Sequence, residues 1–242
     1  MTYLLEGNIS VKAALLSPYR EVIEVIVDQN KRDRDLAFII RTAKKQNIAV
    51  TPMTREEIDQ LADGTTHGGC IAKCQARTFQ SLEQVDQKET LFLALVEGVE
   101  DPYNFGYVLR SLYAAGCDGV LIPKRNWTSA ATIIARASAG ASEYLPLIVM
   151  EDPLHTLTEL KQRAIALVCA ERKDACSLYT YTFPKRICIA IGGEMRGLSK
   201  NVKDAADQNV YIPYRQSFRN ALNAAGAAAI FAFEWLRQHQ DQ

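Results

Sequence analysis

Glu97-Gly98-Val99-Glu100-Asp101-Pro102-Tyr103-Asn104-Phe105-Gly106-Tyr107-Val108-Leu109-Arg110 follows the apolar run at residues 91–96 without a break, and this junction decides how the chain is read. A short, unbroken apolar run with no polar alternation reads as a strand buried on both faces. Asp101-Pro102 then stiffens the turn, and the apolar positions over 105–115, ended by Gly116, read as a helix. Two further junctions have the same build. Gly192-Gly193-Glu194-Met195-Arg196-Gly197-Leu198 follows the run at 187–191, and Ile212-Pro213 ends a strand at 210–212, with Leu222-Asn223 opening a helix of small residues. In an open α/β sheet ligands bind beyond the carboxyl ends of the strands, so the three junctions together outline one site.

Working outward, further strands are expected at 120–122, 147–149 and 165–170, and helices at 130–139, 154–163, after Ser199 and at 222–238. Strands alternating with helices imply an α/β domain with a mostly parallel sheet covered on both faces, placed at residues 91–242. Residues 1–78 read as a smaller α/β unit, with helices at 11–16 and 36–45 and strands at 22–27, 48–50 and 70–76. Thr54 and Glu57 have the spacing of a capping box at the start of another helix. The loop Asp63-Gly64-Thr65-Thr66-His67-Gly68-Gly69 reads either as a turn-rich connector or as an RNA contact. Residues 79–90 are polar and lack an apolar period, as expected of an interdomain linker.

With 242 residues, 48% of them hydrophobic and 23% charged, the chain can bury a real core. No apolar run approaches the roughly 20 residues of a membrane span, and the start lacks the regions of a signal peptide, so a cytoplasmic protein is expected. The six cysteines show neither CxxC spacing nor a nearby histidine cluster. Buried thiols are therefore expected, and no metal site. Lys plus Arg equals Asp plus Glu at 28 each, so no net charge announces a nucleic-acid partner. Local basic clusters remain at Lys31-Arg32-Asp33-Arg34, at Lys44-Lys45, at Lys124-Arg125 and at Arg215 with Arg219.

In the first junction Asn104 offers a donor and an acceptor at the helix start, with Arg110 six residues on; taken alone they read as a helix cap and a surface arginine. In the second, two glycines let backbone approach a ligand while Glu194 sets a carboxylate at the strand end, the plainer reading being a tight turn with a capping carboxylate. In the third, the small residues after Asn223 let another element press against the helix. A phosphate-cradling reading fails, because neither GxxxxGK[ST] nor a GxGxxG after the first strand of the large domain is present.

In order and content, the three motifs resemble those of the SpoU/TrmH group of RNA 2'-O-ribose methyltransferases, in the SPOUT class. The likeness covers roughly residues 91 to 238. Residues 1–78 resemble, more loosely, the L30e/L7Ae-like substrate-binding domain that many members carry in front. The resemblance implies a trefoil-knot (SPOUT) domain, S-adenosylmethionine as methyl donor, and rRNA or tRNA as partner. It also implies RNA processing by ribose methylation and a homodimer with active sites near the subunit interface. It carries catalytic roles to Asn104, Arg110, Glu194 and Asn223. Cofactor contacts fall on Gly192, Gly193, Ile212, Leu222 and the strand end at Ala170. Two departures stand out: Ala221-Leu222-Asn223 replaces the usual Ser-Leu-Asn, and residues 213–221 form a bulkier, more basic insert. Ser217 or Asn220 are candidates to replace the lost hydroxyl. The alternative is a noncatalytic RNA-binding or ribosome-assembly protein on the same scaffold.

Overall fold

The computed structural model describes residues 2–62, 64, 66–125, 130–217 and 220–239. Asp63 and Thr65 of the turn-rich loop and Arg219 of the basic insert lie outside the described residues. The chain divides into two compact units, one spanning Met1–Thr78 and Asn126–Tyr144, the other Phe79–Arg125 and Leu145–Gln242. None of the described helices is long and apolar enough to cross a membrane.

The small unit is a four-stranded sheet in the order β1-β4-β2-β3, from β1 (Tyr3–Glu6), β2 (Val22–Asp28), β3 (Ala49–Met53) and β4 (Cys70–Cys74). β2 and β3 run parallel, while β4 pairs antiparallel with both β1 and β2. Three helices join them: α1 (Asn8–Leu16), α2 (Arg34–Lys45) and α3 (Arg55–Leu61), with the expected capping box between Thr54 and Glu57. The core gathers Leu5, Val25, Leu36, Ile39 and Ala72, and with them Ala135, which comes from far along the chain. The helix expected at 130–139 forms over Ala131–Ala137 and packs in this unit, followed by a 3-10 turn at Ala141–Glu143. A buried ion pair fastens that excursion, with Arg20 Nε donating to Glu143 Oε2 at 2.6 Å and Nη2 to Oε1 at 3.0 Å. Removing one partner of such a pair strands a buried charge, at a cost of about 3–5 kcal/mol.

In the large unit the parallel sheet runs β7-β6-β5-β10-β8-β11-β9, and every pairing in it is parallel. Its strands are β5 (Leu91–Glu97), β6 (Gly119–Pro123), β7 (Leu147–Met150), β8 (Ala166–Ala170), β9 (Ala175–Ser177), β10 (Arg186–Gly192) and β11 (Gln208–Tyr211). Residues alternate between faces. Leu91, Leu93 and Leu95 share a core with Leu157 and Leu160 of the helix at Pro153–Gln162 and with Val202 of the one at Lys200–Ala205. On the other face Phe92 stacks on Trp235 at 4.7 Å between ring centres, beneath the terminal helix Ala224–His239. In chain order the helices after α3 are α4 (Leu82–Val85), α5 (Pro102–Ala114), α6 (Ala131–Ala137), α7 (Pro153–Gln162), α8 (Lys200–Ala205) and α9 (Ala224–His239). The stretch 79–90 falls in the large unit: Leu82 is buried in its core, and Asp86 pairs with both Arg163 and Arg186.

Candidate active site

β5, β10, β8 and β11 are consecutive neighbours and parallel, so their carboxyl ends at Glu97, Gly192, Ala170 and Tyr211 line one edge of the sheet. The three motifs, the first remote in sequence from the other two, begin at the ends of β5, β10 and β11. Their meeting follows from strand order alone.

The first two motifs lock through backbone. Gly193 N donates to Glu97 O at 2.7 Å, and Gly197 N returns to Gly193 O at 2.9 Å. A Cβ on Gly193 would sit 1.8 Å from Gly98 O, and one on Gly192 would sit 2.6 Å from the Gly197 carbonyl carbon. Both glycines are therefore required by contact, since no side chain fits at either position. Gly98 adopts a φ of 73°, in the region that favours glycine. Glu97 completes the lock, its Oε2 accepting from Ser199 N at 2.7 Å at the start of α8.

This lock positions the polar pair. The helix cap is Asp101 rather than Asn104: its carboxylate accepts from Asn104 N at 2.8 Å, with Pro102 in the first turn. α5 therefore starts at Pro102, three residues ahead of the expected 105, because an N-cap aspartate and a first-turn proline suit a helix start. The Asn104 side chain is left to reach outward, where Nδ2 donates to Glu194 Oε1 at 3.4 Å. Both residues line a hollow of about 160 Å³ with Gly193, Asp101 and Ala224. Arg110 is exposed on α5, lines neither this hollow nor its neighbour, and has no ion pair among the described residues.

The neighbouring cavity, about 180 Å³, lies along the other strand ends and is lined by Ala170, Gly192, Ile212 and Leu222, closed by Phe231 and Ala227 of α9. Four of the five residues expected to form a cofactor cradle thus share one cavity, and the fifth, Gly193, lines the adjoining hollow. Its outer wall is made by side chains. Tyr214 Oη accepts from Leu222 N at 3.0 Å, and the Arg172 guanidinium lies 4.4 Å over the Tyr214 ring while Nη2 reaches Asn220 O. Asn223 caps α9, its Oδ1 accepting from Gly226 N at 2.8 Å. The Cys169 thiol, beside Ala170, is pushed up to about 12 by burial, so it stays protonated and serves packing.

Sequence reasoning quoted Glu97 at the head of the first motif and Tyr214 in the insert without giving either a role, and it did not single out Arg172. Glu97 was legible as the first carboxylate after a buried strand. Nothing in the local sequence of Arg172 and Tyr214 marks them as a stacked pair.

Residues 91–233 match the SpoU rRNA Methylase family. The chain belongs to that family. Ahead of this SpoU domain, residues 4–80 match the family described as RNA 2'-O ribose methyltransferase substrate binding. Over 238 residues the SpoU chain is 29% identical to RlmB of Shewanella oneidensis, a 23S rRNA (guanosine-2'-O-)-methyltransferase, spanning 97% of this chain and 96% of that one. It is 31% identical over 239 residues to a Staphylococcus aureus protein assigned to the TrmH family of tRNA/rRNA methyltransferases, spanning 97% and 96%. Among solved structures, the SpoU methyltransferase AviRb of Streptomyces viridochromogenes, crystallised in complex with AdoMet, superposes with a TM-score of 0.84 at 22% identity, covering 99% of this chain and 91% of that one. The family and the α/β class expected from the three motifs are both borne out.

Proposed function

We propose that this SpoU protein transfers a methyl group from S-adenosylmethionine to a ribose 2'-hydroxyl of rRNA or tRNA. The observation that carries the reading is the convergence of the three motifs on two adjoining hollows, one walled mainly by strand ends and apolar side chains, the other by the Asn104–Glu194 pair. The first fits the donor, since Leu222, Phe231 and Ile191 offer apolar walls to a nucleoside and Glu171 offers a carboxylate to a cationic group. Its lining residues Ala170, Gly192, Ile212 and Leu222 would hold the donor, with Gly193 at the boundary. When bound, the donor supplies an electrophilic methyl on a sulfonium sulfur.

The rest of the chemistry belongs to this chain. A hydroxyl oxygen must be aligned and its developing negative charge stabilised, so positioning and electrostatics dominate. Asn104, paired with Glu194, orients the ribose, and Asn223, at the start of α9 and lining neither hollow, contacts the substrate from there. Arg110 stays protonated, as guanidinium does in proteins, and stabilises charge on the 2'-oxygen or on an adjacent phosphate. Retention of all four polar residues favours catalysis over the noncatalytic alternative.

Arg110 stands on a face of α5 that also exposes Tyr103 and Tyr107, at i, i+4 and i+7 spacing along one stripe, and α9 next to it exposes Phe233. Grouped exposed aromatics on packed neighbouring helices suit an interaction surface. In this reading a second copy covers it, in a cytoplasmic homodimer, and Arg110 works at the seam. The deciding experiment is Arg110→Lys. Calorimetry should find S-adenosylmethionine bound with near-normal affinity while transfer of labelled methyl to RNA falls about 10²–10³-fold, because a point charge does not reproduce the planar fork. Near-normal turnover would remove Arg110 from the reaction.

A further inference from the structure

On the small unit, α2 and the edge strand β3 leave a groove of about 690 Å³ between them. Its floor is apolar, made by Leu36, Ala37 and Ile40 of α2, Val27 of β2, and Val50 and Pro52 of β3. Its rim carries the cations Lys31, Arg32, Arg34 and Lys44 against the carboxylates Asp28 and Asp33, which leaves a net positive lip. The four cations are not equivalent. Lys31 is committed, paired with Asp33 at 2.9 Å and donating to Gly68 O at 2.7 Å. Arg32 donates to the Gln29 and Lys31 carbonyls, which fixes its place without neutralising it. Arg34 and Lys44 are exposed, and neither they nor Arg32 has a carboxylate partner among the described residues. On a chain whose charges sum to zero, this surplus is local.

An apolar slot with unpaired cations at its lip suits a ligand that is flat and weakly polar at one end and anionic at the other. A nucleotide has that build. The groove falls within the roughly 300–1,000 Å³ range of small-ligand pockets, enough for one base with its sugar. Double-stranded RNA keeps its bases stacked and its major groove out of reach, whereas loops and bulges splay bases out to be bound. A peptide strand adding to the β3 edge is the rival occupant, but Pro52 removes a backbone donor from that edge.

We infer that the α2–β3 groove receives an unpaired nucleotide of the substrate RNA, with the base against Ala37, Ile40 and Val50 and the flanking phosphates at Arg34 and Lys44. This rests on the reading of the protein as an RNA enzyme and adds where, and by what feature, the small unit grips its substrate.

The test uses the full chain and a short labelled oligouridylate, with an RNA duplex of equal length as competitor. The wild-type protein should bind the single strand and be displaced poorly by the duplex. Arg34→Gln with Lys44→Gln should weaken binding roughly tenfold and flatten the dependence of log affinity on log salt by about 1.4, at about 0.7 per lost phosphate contact. Ala37→Trp, at an exposed position, should fill the slot and weaken binding while leaving the salt dependence unchanged. Thermal melts and S-adenosylmethionine calorimetry should match wild type for every variant. Wild-type affinity in both the double variant and Ala37→Trp, or equal competition by duplex, overturns the inference. A groove-dependent single-strand affinity in a chain that binds no S-adenosylmethionine would leave the groove standing and sink the methyltransferase reading.

Discussion

The two hollows at the sheet edge are built by opposite means. Around Asn104 and Glu194, backbone meets backbone: Gly98, Gly192, Gly193 and Gly197 lie so close that at Gly192 and Gly193 a single added carbon collides with the main chain. Around Leu222, side chains set the wall, through the Tyr214 hydroxyl and the Arg172 stack. A backbone lock has one geometry and admits no side chain at Gly192 or Gly193, whereas a wall of side chains can be rebuilt residue by residue. Of the departures from the usual family pattern, Ala221 and, from the insert, Tyr214 line the second region. In the proposed reading the reaction centre lies in the first region, and the second is where the grip on a ligand has room to vary.

The strongest way to break that contrast is Gly193→Ala. With Gly98 O only 1.8 Å from the new carbon, the β5 and β10 ends must part, and we expect a loss of at least about 3 kcal/mol, seen as a fall in Tm or as insoluble protein. Gly197→Ala is the control: its φ of 61° strains a side chain, but nothing lies within 4 Å, so the cost should be near 1 kcal/mol. Equal effects of the two would mean that backbone conformation, and not the interlock, makes this loop.

Tyr214→Phe probes the other wall. It deletes the acceptor for Leu222 N and keeps the ring beneath Arg172, so stability should change by about 1 kcal/mol or less while S-adenosylmethionine affinity falls several-fold. Unchanged affinity by calorimetry would show that the Leu222 backbone is held by the start of α9 alone.

The contrast also explains what sequence could and could not reveal. β5 and β10 were legible because residues 91–96 and 187–191 are apolar without interruption, as a strand buried on both faces must be. The glycine lock was visible as glycines, but which atoms exclude a side chain depends on how the two loops meet in space. β1 was missed because four residues at a chain end carry too little period, and its Glu6, buried and paired with Arg136, reads locally as a solvent residue. β9, three half-buried residues on a sheet edge, has the same defect. The helix at Ala131–Ala137 was found, yet its allegiance to the small unit was not, because Glu143 meets Arg20 across 123 positions of sequence. Long-range pairing of this kind leaves no local periodicity to read.

The finest test concerns Asn223, whose side chain has two jobs open to it. In the structure it caps α9, a role that aspartate performs as well, so Asn223→Asp should leave Tm within about 0.5 kcal/mol equivalent of wild type. The amide donor is lost all the same, and a carboxylate takes its place. If Asn223 fixes the RNA through that donor, methylation should fall by roughly tenfold or more with the fold and S-adenosylmethionine binding intact. If activity survives, the residue is a helix cap and nothing else, and the substrate is held from that side by the insert, where Ser217 and Asn220 would be the next residues to replace.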